Sequence, residues 1–406
     1  MAVRIAVFAL LLLLPATTSA YSVLAHEAVI DTAWDGSIRP LIASRFPASD
    51  AELKNARAYA YGGCLIQDLG FYPFSSRFFG NLTHYVRTGD FVEALLREAK
   101  TAPELAFALG ALAHVAADTR GHALAVNRAV PLIYPKLRAK FGDEVTYDEH
   151  PAAHLKTEFG FDVLQVARGR YAPDAFHDFI GFEVAKDLLA RAFRATYALD
   201  IDDVFGNLGL AIGTFRWTVS GTIPDVTNVA WETRRKEIET LMPGGTREAF
   251  VFASSRAEFE RRWGTEYKRP GLPHRIVSWI LRIVPRFGPF RALAYRTPTP
   301  EAERLFFDSF NKTVERYRAL LQAHAAGTLS IENRNLDTGD PVTTGQYRLA
   351  DDTYDELLER LAKDRFRTVD ASLRDDIVRF FAPVKAAGRV DRRSRKILKR
   401  LAALER

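Results

Sequence analysis

Apolar positions recur at three- and four-residue intervals through most of the chain, as in Phe91, Leu95 and Leu96 and then Leu105, Leu109 and Leu112. Period-two alternation is scarce, so the pattern predicts a predominantly α-helical fold. Ser49 followed by Glu52 reads as a capping box opening one helix, and Asp370 with Leu373 and Ile377 marks another late in the chain. Loop punctuation falls at Gly62-Gly63, Phe71 to Gly80, Gly142 to Tyr147, Met242 to Gly245, Gly288-Pro289 and Pro298 to Pro300. No repeats or low-complexity tracts interrupt the pattern. A soft division lies within residues 200–225, because the His-rich stretch precedes it and basic, aromatic helices follow it. The expected organisation is an export signal over 1–20, a His-rich domain over 21–215 and a helical C-terminal extension over 216–406, whose role the sequence leaves open.

The start departs from the helical rhythm. Arg4 supplies a positive charge, Ile5 to Leu14 an apolar run, and Thr18-Ser19-Ala20 a small-residue cleavage site, so the protein is expected to be exported (periplasmic or secreted) with Tyr21 as its new N-terminus. The run is shorter than the roughly 20 residues that span a bilayer. An apolar content of 48% supports a substantial core. Cys64 is the only cysteine, so stability has to come from packing or metal rather than an internal disulfide. The net charge of +6 tolerates anionic substrates such as phospholipid headgroups or nucleic acid without choosing between them.

The candidate chemistry is concentrated in histidine. Of 9 His residues, those at 26, 84, 114, 122, 150 and 154 fall early in the chain, near several acids. His114, Asp118 and His122 follow one another at intervals of four in an apolar helical context; on a regular helix they share an arc of about 80° and spread over about 12 Å. That row is too long for one tetrahedral ion and suits two or three, with Asp118 placed to bridge. His154 and Glu158 repeat the spacing, and taken alone read better as a solvated helix face. His150 precedes His154 by four residues, but Pro151 argues against a continuous helix through it. Asp68 and His84 flank an aromatic, Gly-bearing loop. His26 lies close to Tyr21, whose α-amine and carbonyl become chelators only once the signal is removed. His26-Glu27 does not begin a His-Glu-xx-His protease helix, because position 30 is Ile30.

Taken in order, Tyr21 to His26, Asp68, His84, the His114/Asp118/His122 row and the His154/Glu158 pair resemble the zinc-dependent phospholipase C family over residues 21–200. Gly62-Gly63 leading to Gln67-Asp68, the Ala117-Asp118-xxx-His122 spacing and His154-xxx-Glu158-Phe-Gly-Phe-Asp162 look most similar to the N-terminal domain of its GPI-specific phospholipase D branch; the fungal zinc nucleases are more distant. The resemblance implies an all-α, multi-helix phospholipase C/nuclease-like bundle holding up to three zinc ions, with additional helices C-terminal to it. By position, Asp68, His84, His114 and Asp118 would hold one zinc, His122, His154 and Glu158 another, and Tyr21, His26 and the bridging Asp118 the third. Asp68 would also act catalytically, orienting or deprotonating the water that attacks phosphorus. Three departures stand out: Tyr21 replaces the family's usual Trp, Asp118 and His122 are closer together than in the bacterial and fungal members, and Asp162 competes with Glu158 as a ligand.

Other mechanisms find no local support, since neither a Gly-x-Ser-x-Gly elbow nor a Gly-xxxx-Gly-Lys-Ser/Thr loop is present. Cys64 reads as a small buried thiol and Arg120 as a surface cation. Residues 274–295 combine Trp279 and interspersed Arg with apolar bulk, a composition shared by ordinary core helices and elements that touch a membrane surface. The tail from Lys385 to Arg406 carries an apolar stripe of Ile397, Leu398, Leu401 and Leu404, expected to pack on the protein itself. The expected activity is therefore zinc-dependent phosphodiester hydrolysis on phospholipids, with a single-strand nuclease and a non-catalytic zinc-stabilised binding protein as alternatives. No nucleic-acid partner is favoured.

Overall fold

The computed structural model describes residues 23–72, 74–167, 182–217, 296–387 and 391–406. The described residues are all-helical, with one isolated bridge between Arg334 and Pro341 as their only extended pairing. The chain runs through α1 (Val23–Ala33), α2 (Arg39–Arg45), α3 (Asp50–Leu65), a 3-10 turn (Gln67–Phe71), α4 (Arg77–Tyr85), α5 (Thr88–Glu98) and α6 (Ala102–Gly121). A π-helical turn (His122–Val126) leads into α7 (Asn127–Ile133), α8 (Pro135–Phe141), α9 (Pro151–Ala167), α10 (Lys186–Tyr197), α11 (Ile201–Val204) and α12 (Leu208–Trp217). After residue 295 come α13 (Pro300–Ala325), α14 (Arg348–Lys363), α15 (Ala371–Phe380), α16 (Ala382–Ala387) and α17 (Arg392–Leu404). None of the described helices is long and apolar enough to cross a membrane. The expected signal (1–20), Tyr21 and the 274–295 stretch lie outside the described residues.

The capping signals operate as the sequence suggests. The Ser49 hydroxyl accepts from the Glu52 N–H while the Glu52 carboxylate accepts from the Ser49 N–H, and Asp370 accepts from the Leu373 N–H. Caps of this kind contribute about 1 kcal/mol each. Their larger effect here is to fix where α3 and α15 begin.

Gly62 and Gly63 do not form a loop; they lie inside α3. A Cβ on Gly63 would stand 1.9 Å from the Phe107 carbonyl oxygen, and one on Gly110 of α6 would stand 2.1 Å from that of Ala60. The glycines therefore serve a close crossing of α3 and α6 rather than a turn. α6 is apolar on nearly every face and buried almost throughout, which makes it the central helix of the bundle.

The C-terminal helices share this core. Tyr317 on α13 donates its hydroxyl to the Leu109 carbonyl of α6 at 2.9 Å, and Phe306 stacks on Phe161 of α9 with centroids 4.6 Å apart. Arg87, just before α5, reaches both the Thr196 carbonyl and the Ser372 hydroxyl, tying α10 and α15 to the N-terminal half. In the tail, Ile397, Leu401 and Leu404 of α17 are buried in the same core. The apolar stripe thus packs on the protein itself.

Candidate metal centre

The centre is assembled around two histidines whose ring orientation is set by the backbone. His84 Nδ1 lies 2.7 Å from the Gly80 carbonyl, one turn back on α4, and His114 Nδ1 lies 2.9 Å from the Cys64 carbonyl at the end of α3. A carbonyl oxygen only accepts, so each Nδ1 carries the hydrogen and each neutral ring presents a bare Nε2. Those Nε2 atoms face each other at 3.4 Å. Two lone pairs do not bond to each other; a proton or a metal ion has to stand between them.

Carboxylates surround that point. His84 Nε2 is 3.4 Å from Asp68 Oδ1 and 3.6 Å from Asp118 Oδ2, and His114 Nε2 is 3.0 Å from the same Asp118 oxygen. The other Asp118 oxygen lies 3.3 Å from His26 Nε2, and the His26 ring stacks on His114 at 4.4 Å. Ligands on a tetrahedral zinc with bonds near 2.1 Å are separated by about 3.4 Å, so most of these spacings match the edges of such a polyhedron. Asp68 is positioned by its neighbour Gln67, whose amide donates to the Ala111 carbonyl while its own carbonyl accepts from Thr83.

A further group forms where α6 gives way to the π-helical turn. The His122 N–H still donates to the Asp118 carbonyl, and the Asn127 N–H reaches back to the His122 carbonyl, widening the helix by one residue just after the row of His114, Asp118 and His122. Interruptions of this type recur at functional sites. His122 Nε2 then lies 3.6 Å from Glu158 Oε1, and His154 Nε2 lies 2.8 Å from it. Pro131 lacks the N–H that would serve the Asn127 carbonyl, which accepts instead from the Val145 N–H at 2.8 Å.

The groups His26/His114/Asp118, Asp68/His84/His114 and His122/His154/Glu158 each bring their ligand atoms within 4.8 Å of one another, and every member is buried. Both oxygens of Asp118 and Glu158, and the Nε2 atoms of His122 and His154, have no hydrogen-bond partner despite their burial. Leaving such atoms unsatisfied is expensive, and nitrogen with carboxylate oxygen is the donor set zinc prefers. The residues fit the metal.

The electrostatics point the same way. Burial drives Glu158 well above the usual carboxylate range, with the charges of Asp68 and Asp118 adding to the effect. Burial alone would raise Asp118 too, but His114 and His122 outweigh it and hold that carboxyl well below its ordinary value. Burial also works to lower His114, yet Asp118 beside it dominates and lifts the ring to about 9. His154, where burial prevails over the pull of Asp337, falls to about 3 and is neutral throughout the physiological range. Burial likewise keeps His26 low, reinforced by His114. Positive charge is what this buried carboxylate cluster requires.

Every sequence-derived site residue within the described part, from His26 to Glu158, is thus drawn into one of the groups. The alternatives go elsewhere: His150 Nδ1 accepts from the Ala153 N–H at the start of α9, and Asp162 accepts from the Leu24 N–H of α1 at 3.2 Å. Cys64 is buried and its thiol is pushed well up by desolvation, while Arg120 is exposed. The residue missed from sequence is Asp337, between α13 and α14, whose Oδ1 lies 3.2 Å from His122 Nδ1 and 3.8 Å from His154 Nε2. It belongs to a polar turn, Asn335-Leu336-Asp337-Thr338-Gly339, that reads as ordinary loop punctuation.

Residues 25–207 match the family model for zinc dependent phospholipase C. No curated protein and no solved structure matches the chain. The matched span contains His26 through Glu158 and ends well before Asp337.

Proposed function

We propose that the protein is a zinc-dependent phosphodiester hydrolase acting on phospholipids, with up to three zinc ions held by the two groups around Asp118 and the group of His122, His154 and Glu158. The reading rests above all on the facing Nε2 atoms of His84 and His114, flanked by Asp68 and Asp118 at tetrahedral spacings. When bound, zinc supplies a water acidic enough to ionise near neutral pH and offsets charge on the phosphate. Asp118, with one oxygen toward His26 and the other toward His84 and His114, holds adjacent groups in fixed register. Asp68 is the carboxylate placed to orient the attacking water and take its proton. His122, His154 and Glu158 complete the cluster from α6 and α9.

In this reading the chain is exported, and cleavage after Ala20 frees the Tyr21 α-amine and carbonyl to join His26 and Asp118. Sequencing the N-terminus of the mature protein checks that step. The activity is tested on phospholipid vesicles: zinc-replete protein should release phosphorylated headgroup or phosphatidic acid, chelator should abolish the release, and Asp68→Asn should lose it. A zinc-replete protein inert on every phospholipid would sink the substrate assignment, and digestion of single-stranded DNA or RNA would move it to nucleic acid.

A further inference from the structure

Asp337 comes from a part of the chain in which sequence reading found no chemistry, yet it is more firmly held than most residues around it. Its Oδ2 accepts from the Tyr347 hydroxyl at 2.8 Å and from the Tyr147 N–H at 3.0 Å. Its N–H donates to Asn335 Oδ1 at 2.9 Å, and its carbonyl accepts from the Asn127 side chain at 2.8 Å. With both the backbone and Oδ2 committed, Oδ1 lies 3.2 Å from His122 Nδ1, both atoms buried and without a hydrogen-bond partner, in a pocket where Asp337 is 2% exposed.

The turn carrying Asp337 is itself built onto the metal-bearing helices. Leu336 donates its N–H to the His84 carbonyl at 3.0 Å, so the same turn touches the backbone of a histidine in a different group. Gly339 adopts φ +74°, and a Cβ there would come within 2.8 Å of the Thr119 carbonyl on α6. Upstream, Asn333 Oδ1 accepts from the Gly89 and Asp90 N–H groups at the start of α5, and Thr88 exchanges hydrogen bonds with the Arg334 backbone.

We propose that Asp337 is a positioning residue of the zinc cluster: Oδ1 accepts the His122 Nδ1 hydrogen and so turns Nε2 of that ring toward His154 and Glu158. The need arises because His122 is the last residue of the row: its N–H still donates to the Asp118 carbonyl, while its own carbonyl opens the π-helical turn. An outer carboxylate that fixes tautomer and ring angle typically changes metal affinity 10–100-fold when removed. It follows that the C-terminal part is not an accessory to the centre, since one of the ring orientations on which the centre depends is set from residues 333–347.

The inference rests on the zinc reading above, and the test separates the two. Zinc is titrated against a chromophoric competing chelator into the full-length mature protein and into Asp337→Asn, with helix content followed by circular dichroism and cobalt(II) substituted for its visible spectrum. The expected variant keeps the wild-type helix content, reaches the wild-type metal complement at saturating zinc, binds its weakest ion 10–100-fold less tightly, and keeps a four-coordinate cobalt band. Loss of an ion even at saturation, with collapse of that band, would make Asp337 a direct ligand and overturn the proposal. Equal destabilisation of the metal-free and metal-loaded protein, with unchanged zinc affinity, would make its role mere packing and also overturn it. Should Asp337→Asn fail to fold, Tyr347→Phe removes one donor to Oδ2 and is expected to weaken zinc severalfold; no weakening there counts against the proposal. Wild-type protein that takes up no zinc removes the zinc reading itself, whereas zinc-binding wild type with an indistinguishable Asp337→Asn removes only this inference.

Discussion

His84 and His114 meet at nearly a right angle, 85° between ring planes, with their Nε2 atoms 3.4 Å apart and each Nδ1 held by a backbone carbonyl. In a buried site the contact is repulsive unless a proton or a metal ion separates the lone pairs, and the carboxylates of Asp68 and Asp118 call for positive charge at the same place. Metal removal should therefore weaken the whole bundle. At free zinc a thousandfold above Kd, each site linked only to the native state contributes about 4 kcal/mol. Thermal unfolding with and without chelator measures this: the melting temperature should fall on chelation and recover when zinc is restored. Superimposable melts would show that the histidines are satisfied without metal.

Asp118 reaches three histidines of the cluster, His26 through one oxygen and His84 and His114 through the other. Asp118→Asn should consequently release metal from more than one group, whereas His154→Ala, confined to the group with His122 and Glu158, should release less. Metal analysis of the two purified variants after dialysis against buffered zinc distinguishes them. Equal losses would show that Asp118 does not bridge.

The parts of this centre legible from sequence are those in which spacing carries the chemistry. Helical periodicity gives the all-helical class, and the four-residue intervals of His114/Asp118 and His154/Glu158 place each pair on one helix face, where the structure has them. Gly62-Gly63 misleads because glycine serves turns and close helix crossings alike; only the opposing Phe107 carbonyl decides the matter. The π-helical turn at His122 leaves no mark in apolar periodicity, since the helix leading into it is apolar on nearly every face and sets no phase that an extra residue could break. Asp337 is invisible for another reason: its link to His122 is purely tertiary, made by a turn whose composition resembles that of any polar loop.

The crossing of α3 and α6 gives a stability prediction that also reports on the site. In Gly110→Ala the new methyl would meet the Ala60 carbonyl oxygen at 2.1 Å, and that oxygen is backbone within a helix and cannot rotate away. Overpacking of this sort costs about 1–3 kcal/mol, and the rigidity of the opposing group favours the upper end. Because Gly110 lies one turn before His114, the displacement should weaken zinc binding as well. Urea unfolding and zinc titration of the same variant test both consequences. A variant as stable as wild type would mean the helices part without strain.

A pH dependence follows from the contact that anchors α1, the helix carrying His26. The Asp31 carboxylate accepts from the Arg57 guanidinium and from the Tyr61 hydroxyl on α3, and Arg57 also lies over the Trp34 ring at 5.5 Å. Burial raises the Asp31 value above its ordinary 3.8, and the opposing pull of Arg57 and Tyr61 only partly offsets this. A raised native value means that the folded protein binds this proton more tightly than the unfolded chain does. The stability Asp31 contributes is therefore fully present below about 3.8 and is lost as pH rises through the native value. Asn is close in shape to the protonated carboxyl but does not titrate. Asp31→Asn should thus gain stability relative to wild type as pH rises from about 4 toward 7, a trend measured by urea unfolding of both proteins at several pH values in that interval. A constant difference across the range would show that Arg57 and Tyr61 fully compensate burial, and a trend of opposite sign would show that they exceed it.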